Sequence, residues 1–144
     1  MIGTDCQVFH GFTNFITGIV IHQLGKGAWA CYRQVIVPRE LISIKEKLSL
    51  ETSYSEEVAI HFIGPRRLQM ESIVLPYVYQ GAAFEAYIDV DAGTDPAISK
   101  TALFVEDICV RVEAMGMKAR VKPDAVVASA YANRHTKASP SGRS

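Results

Sequence analysis

The sequence has no charge of one sign to spare. Its 15 basic residues balance 15 acidic ones, and its pI is near neutral. That balance gives no broad electrostatic footprint for nucleic acid and no field for a membrane surface. Cysteine is sparse: Cys6, Cys31 and Cys109 are an odd, widely spaced set without a Cys-x-x-Cys pair. Neither a disulfide framework nor a zinc motif follows, and free buried thiols in a reducing compartment are expected. The apolar run over residues 12–24 contains Asn14, His22 and Gln23 and is too short to span a bilayer. The N-terminal stretch carries Asp5 and no early Lys or Arg, so it does not read as a secretory signal. Gly25-Lys-Gly27 lacks the spacing of a phosphate loop, and no Gly-x-Ser-x-Gly occurs. A soluble domain without a catalytic signature is what these absences leave.

What is present is enough apolar sequence for a core. With 49% hydrophobic residues in 144, the chain reads as one domain over residues 1–132. Residues 133–144 hold Arg134, His135, Lys137 and Arg143 with no acid and no large apolar side chain, and read as a basic polar tail.

The clearest local pattern lies between Gly81 and Lys122. Phe84, Ala86, Ile88 and Val90 alternate with Glu85, Tyr87, Asp89 and Asp91, which predicts a strand with one dry and one wet face. Turn chemistry follows over residues 91–96, with Pro96 suited to a first helical turn. Ile98, Thr101, Ala102, Val105, Ile108, Cys109, Val112 and Met115 then fall three or four apart, one apolar stripe on a long helix. Gly116 is its left-handed cap, and residues 117–121 return as a strand.

Upstream, Val8, Phe9, Phe12, Phe15, Ile16, Ile19, Val20 and Leu24 fit a second long helix over residues 6–24, with Asp5 as its cap. The β-branched run Ile19–Val20–Ile21 leaves a strand open as the alternative. Residues 28–37 read as a strand ended by Pro38. A short helix is predicted around Leu41, Ile44 and Leu48, then a polar loop over residues 51–55, a strand over residues 57–62 and another over residues 68–74. Residues 125–131 fit a strand or a short helix equally. The implied class is α+β: two layers, with two long amphipathic helices packed on one side of a mostly antiparallel sheet.

Candidate sites are thin. Glu85, Tyr87, Asp89 and Asp91 share a strand side, and such a row can bind a divalent cation or supply paired carboxylates. No calcium-loop spacing or catalytic motif accompanies it, so it reads as a solvated or partner-facing surface. His61, Glu85 and His22 lack any local ligand pair, and hydrogen-bonded histidines are the simpler reading. Trp29, Tyr32, Tyr77 and Tyr79 suit core packing or a subunit contact.

In its order of elements the chain resembles the bacteriophage tail terminators and related head-to-tail completion proteins. The matching pieces are the helix at 6–24, the strand at 83–91, the acidic loop at Asp95-Pro96, the helix at 97–115 and the strand at 118–121. That resemblance implies a virion protein, made in the host cytoplasm, that forms a homo-oligomeric ring with other virion proteins as partners. Ala102-Leu-Phe-Val-Glu-Asp107, with Gly116 and residues 117–121, is also similar to the vicinal oxygen chelate (glyoxalase-like) superfamily. That likeness implies a strand at 102–105 and a small-molecule or metal-binding enzyme. The first resemblance leads to a non-enzymatic structural protein with no cofactor, no metal, no membrane and no direct nucleic-acid recognition. Its expected assembly contacts are Glu85, Asp89 and Asp91 on the strand, with Arg134, Lys137 and Arg143 on the tail.

Overall fold

A computed structural model describes residues 1–23, 25–92, 102–122 and 127–136. Five strands form one sheet: β1 (Ile2–Phe9), β2 (Phe12–Gln23), β3 (Gly27–Val37), β4 (Tyr87–Val90) and β5 (Lys118–Val121), in the order β3-β2-β1-β4-β5. β1 and β3 run antiparallel to β2 on either side of it, over long registers. β4 joins β1 in parallel, and β5 joins β4 in parallel, over short ones. Among the described residues four helices accompany the sheet: α1 (Ile44–Ala59), α2 (Pro65–Val74), α3 (Ala102–Ala114) and α4 (Val127–Thr136).

The α+β class holds, with a sheet that is antiparallel over most of its pairing. Its two long helices, α1 and α3, share one side. Ile2, Ile88 and Val90 of the sheet pack with Leu48 and Val58 of α1 and Val105, Ile108 and Val112 of α3 in the main core. Of the stripe predicted for the later helix, Val105, Ile108 and Val112 are buried and Cys109 and Met115 half-buried, and Gly116 follows at φ 84°. The opposite face is met by α4. Gly18 of β2 makes room for it, since a Cβ there would lie 2.9 Å from Tyr131 Cδ1 and 3.0 Å from the Ala128 carbonyl.

The first long helix is not where the sequence placed it. Residues 6–24 form a hairpin, β1 into β2, turning at Gly11 with φ 84°. β2 is central and covered on both faces, so Phe15 and Ile16, though adjacent, are both buried. An apolar pattern without alternation then mimics helical spacing. Asp5 lies within β1 and caps nothing there.

The strands expected at 57–62 and 68–74 are also helical. α1 runs through the expected polar loop to Ala59, a 3-10 turn covers Ile60–Phe62, and α2 takes the next segment. The polar residues of that loop have partners: Thr52 donates to the Leu48 carbonyl (2.9 Å), and Ser55 meets Thr4 in a buried hydroxyl pair at 2.8 Å. Ser43 starts α1, its hydroxyl accepting from Glu46 N. Trp29, Tyr77 and Tyr79 are exposed rather than core. α4 takes residues 127–136 as a helix, including the first four residues of the expected tail. The turn at 93–96, the helix start at 97–101 and residues 137–144, with Lys137 and Arg143, lie outside the described residues.

Candidate active site

The strand order reverses between β1 and β4. The chain moves outward from β1 to β2 and β3, then returns to the other side of β1 with β4 and β5. In sheets with parallel strands, the crevice beyond the strand ends at such a reversal is where ligands bind. Here the parallel pairing covers only Ile2↔Ile88 and Gly3↔Asp89. Continuing that register by two residues sets Asp91, just past β4, level with Asp5 of β1 and on the same face.

α1 brings a third carboxylate. It packs along β1, and one turn before Ser55 it presents Glu51 to Cys6, the residue after Asp5. The Cys6 thiol donates to the Glu51 carboxyl. Burial pushes the Glu51 carboxyl up to about 8, opposed by the Cys6 hydrogen bond and by Lys47, and reinforced by the negative charges of Asp5 and Asp91. Asp5 is also raised, chiefly by burial, although Asn133 and Thr136 of α4 hydrogen-bond its Oδ2 at 2.9 and 3.0 Å. Burial and the neighbouring carboxylates push the Cys6 thiol up, so it is held as the neutral form, not as a nucleophile.

Asp5, Glu51 and Asp91, from three separate segments, thus lie close enough at the β1–β4 junction to act on one another's charge, and burial is the chief cause that raises the first two. The balancing cations are Lys47 and Lys122, whose Nζ is 2.7 Å from Asp91 Oδ1. This all-oxygen donor set suits a hard divalent ion such as Mg²⁺ or Mn²⁺. As they stand, no three His, Cys, Asp or Glu side chains among the described residues close around one point. Asp91 is turned to Lys122, and Asp5 is engaged by α4.

Of the acidic row read from the sequence, only Asp91 belongs to this site. Glu85 is exposed and bonded to Tyr87 and Lys118. Asp89 is buried, contrary to the wet face predicted for it. It pairs with Arg120 at 3.1 Å and accepts from Ala128 N at 3.1 Å, so it holds the first turn of α4 against the sheet. Arg134 is exposed on α4. His61 and His22 are exposed and join no metal-ligating cluster among the described residues. Asp5 and Glu51 were missed because one was read as a helix cap and the other as loop. No local spacing links either to Asp91.

A family model described as "Ribonuclease H-like" matches residues 1–137. An uncharacterized protein of Bacillus subtilis (strain 168), YkuK, is 38% identical over 138 residues, covering 94% of this chain and 77% of the relative. No solved structure matches. These matches overturn the phage tail terminator resemblance and with it the ring-forming virion protein. They also overturn the expectations of a non-enzyme and of no direct nucleic-acid recognition, because ribonuclease H-like proteins are mostly nucleases. The glyoxalase-like alternative falls with them: its strand at 102–105 is the first turn of α3.

Proposed function

The chain belongs to the ribonuclease H-like family, and from that membership we propose that it is a divalent-metal-dependent nuclease that hydrolyses phosphodiester bonds of nucleic acid. The observation that carries the proposal is the approach of Asp5, Glu51 and Asp91 to one another at the β1–β4 reversal, near enough for both aspartates to act on Glu51. Asp5, Glu51 and Asp91 would hold the metal. What a divalent cation supplies at such a site is a Lewis acid for the phosphoryl oxygen and a potent nucleophile at neutral pH.

The chain's own residues do the rest. Asn133 and Thr136 fix the Asp5 carboxylate in one orientation from the α4 side. Cys6 gives Glu51 a hydrogen bond from the α1 side. Lys47 and Lys122 lie beside the acids, and their ammonium groups would be available to a phosphate backbone. Asp89 and Arg120 contribute indirectly, by seating α4.

The test is cleavage of end-labelled single-stranded RNA, single-stranded DNA, duplex DNA and an RNA–DNA hybrid with Mg²⁺ or Mn²⁺, by wild type and by Asp5→Asn, Glu51→Gln and Asp91→Asn. Cleavage of at least one substrate, lost with chelator and cut by about 100-fold or more in each variant, is expected, since removing groups that act as a unit is costly. Cleavage that survives all three substitutions, or none on any substrate by folded wild type, would overturn the proposal.

A further inference from the structure

Each cation of β5 has an acid across from it. Lys118 pairs with Glu85 at 3.4 Å, Arg120 with Asp89 at 3.1 Å, and Lys122, just beyond the strand, with Asp91 at 2.7 Å. The first rung is an ordinary surface pair, and the second is structural. The third differs, because its acid, Asp91, is the one that the strand register sets level with Asp5 at the β1–β4 reversal. The Lys122 backbone is fixed beside the site by its N–H donating to the Ala92 carbonyl at 3.2 Å. Its side chain is 58% exposed and can leave Asp91 without opening a cavity.

We propose that Lys122 is a built-in counter-ion of the active site, which competes with a divalent cation for Asp91 and must leave when metal enters. This rests on the reading of Asp5, Glu51 and Asp91 as the metal-holding set. One ammonium engages one carboxylate, whereas a divalent ion can draw on all three at once. While Lys122 holds Asp91, the three do not close around a point. Displacement frees both the carboxylate that the metal needs and an ammonium at the rim, tethered close enough to contact a nucleic-acid phosphate. Lys122 in this role is a positioning residue that sets how readily the site loads.

The test is a titration of Mn²⁺ into the full chain without substrate, with free aquo-Mn²⁺ counted by electron paramagnetic resonance. Lys122→Met removes the charge and keeps the length, with Lys122→Gln as a second variant. Lys122→Arg keeps the charge. Lys118→Met removes the same charge from the rung that faces only Glu85. Loss of a competing charge at contact distance should tighten Mn²⁺ binding about tenfold in Lys122→Met and Lys122→Gln. Lys122→Arg should stay near wild type, and Lys118→Met within about twofold of it, because a screened surface charge acts weakly at a distance. Equal or weaker binding in Lys122→Met and Lys122→Gln, with measurable binding by wild type, would overturn the inference and leave the metal site standing. An equal gain in Lys118→Met would overturn it too, by reducing the effect to net charge. No Mn²⁺ binding by any of these proteins would bring down the metal site and the inference together.

Discussion

Asp89 Oδ2 accepts a hydrogen bond from Ala128 N at 3.1 Å, so a buried carboxylate on β4 sits at the positive end of α4. The other oxygen of Asp89 takes Arg120 at 3.1 Å. Together they tie the helix that orients Asp5 to the strand that leads into Asp91. Asp89→Ala removes both links and leaves Arg120 partly buried without its partner. A cost of about 3–5 kcal/mol is expected, as for a broken buried pair. Asp89→Leu combined with Arg120→Met should recover part of that loss but not all, since Ala128 N stays unpartnered. Urea unfolding of the two proteins checks this, and equal stability of Asp89→Ala and wild type would remove the clamp.

Gly18 is a second point of attachment. A methyl group there meets the Ala128 carbonyl at 3.0 Å and Tyr131 Cδ1 at 2.9 Å. The tyrosine ring can swing away, but the helix backbone cannot without lifting α4. Gly18→Ala should therefore cost about 1–3 kcal/mol through overpacking. It should also loosen the Asn133 and Thr136 contacts to Asp5. Amide hydrogen exchange localised to α4 is the measurement, and unchanged protection there would contradict the close approach.

Glu51 makes a pH prediction. Its folded value of about 8 lies above the ordinary 4.5. Between those two values the folded chain binds a proton that the unfolded chain has lost, so stability falls as pH rises through that window. Asp5, Asp91, Cys6 and Lys47 face the group, and the two aspartates deepen the effect while Lys47 opposes it. Glu51→Gln should stabilise the protein at about pH 8.5 by on the order of 1–3 kcal/mol and change little near pH 5, where the carboxyl is already protonated. Thermal melts of both proteins across that range decide it. Parallel pH profiles would mean that burial does not hold the Glu51 carboxyl above its ordinary value.

How much of this was legible in the sequence follows from burial. β3, the stripe of α3, Gly116 and β5 were readable because each has one clear face or one clear stop. The first hairpin was not. On β2, Asn14, Phe15, Ile16 and Thr17 are all buried in succession, so the period of two was erased by layers packed on both sides. The β-branched Ile19–Val20–Ile21 was the surviving signal, and it pointed to a strand. α1 was cut short because Thr52 and Ser55 look like loop residues. Their hydroxyls are satisfied by Leu48 and Thr4, one on the same helix and one distant in sequence. The active-site acids share the same difficulty. Asp5, Glu51 and Asp91 are brought together by strand order, which no local spacing encodes.

The last expectation concerns the polar chain behind Asp5. Gln34 on β3 donates to Asn14 Oδ1 at 2.7 Å, and Asn14 Nδ2 donates to the Thr136 carbonyl at 3.2 Å. The Thr136 hydroxyl in turn is 3.0 Å from Asp5 Oδ2. Asn14 and Thr136 are fully buried, so their polar groups are expensive to leave unmatched. Thr136→Val keeps the shape and deletes the donor. Losing one hydrogen bond to a charged acceptor should cost about 1.5–3 kcal/mol at neutral pH. It should also raise the Asp5 carboxyl further, because Thr136 is one of the groups that hold it down against burial. The sign separates this from simple loosening. If α4 merely detached, Asp5 would gain water and its proton affinity would fall toward the ordinary value. A ¹³C-detected carboxyl titration of Asp5 in Thr136→Val, beside Asn14→Leu as a variant that frees the helix end but spares the hydroxyl, distinguishes the two. An upward shift in the first variant, absent or reversed in the second, is the expected result. A downward shift in Thr136→Val would mean that the hydroxyl holds the helix and does nothing specific for Asp5.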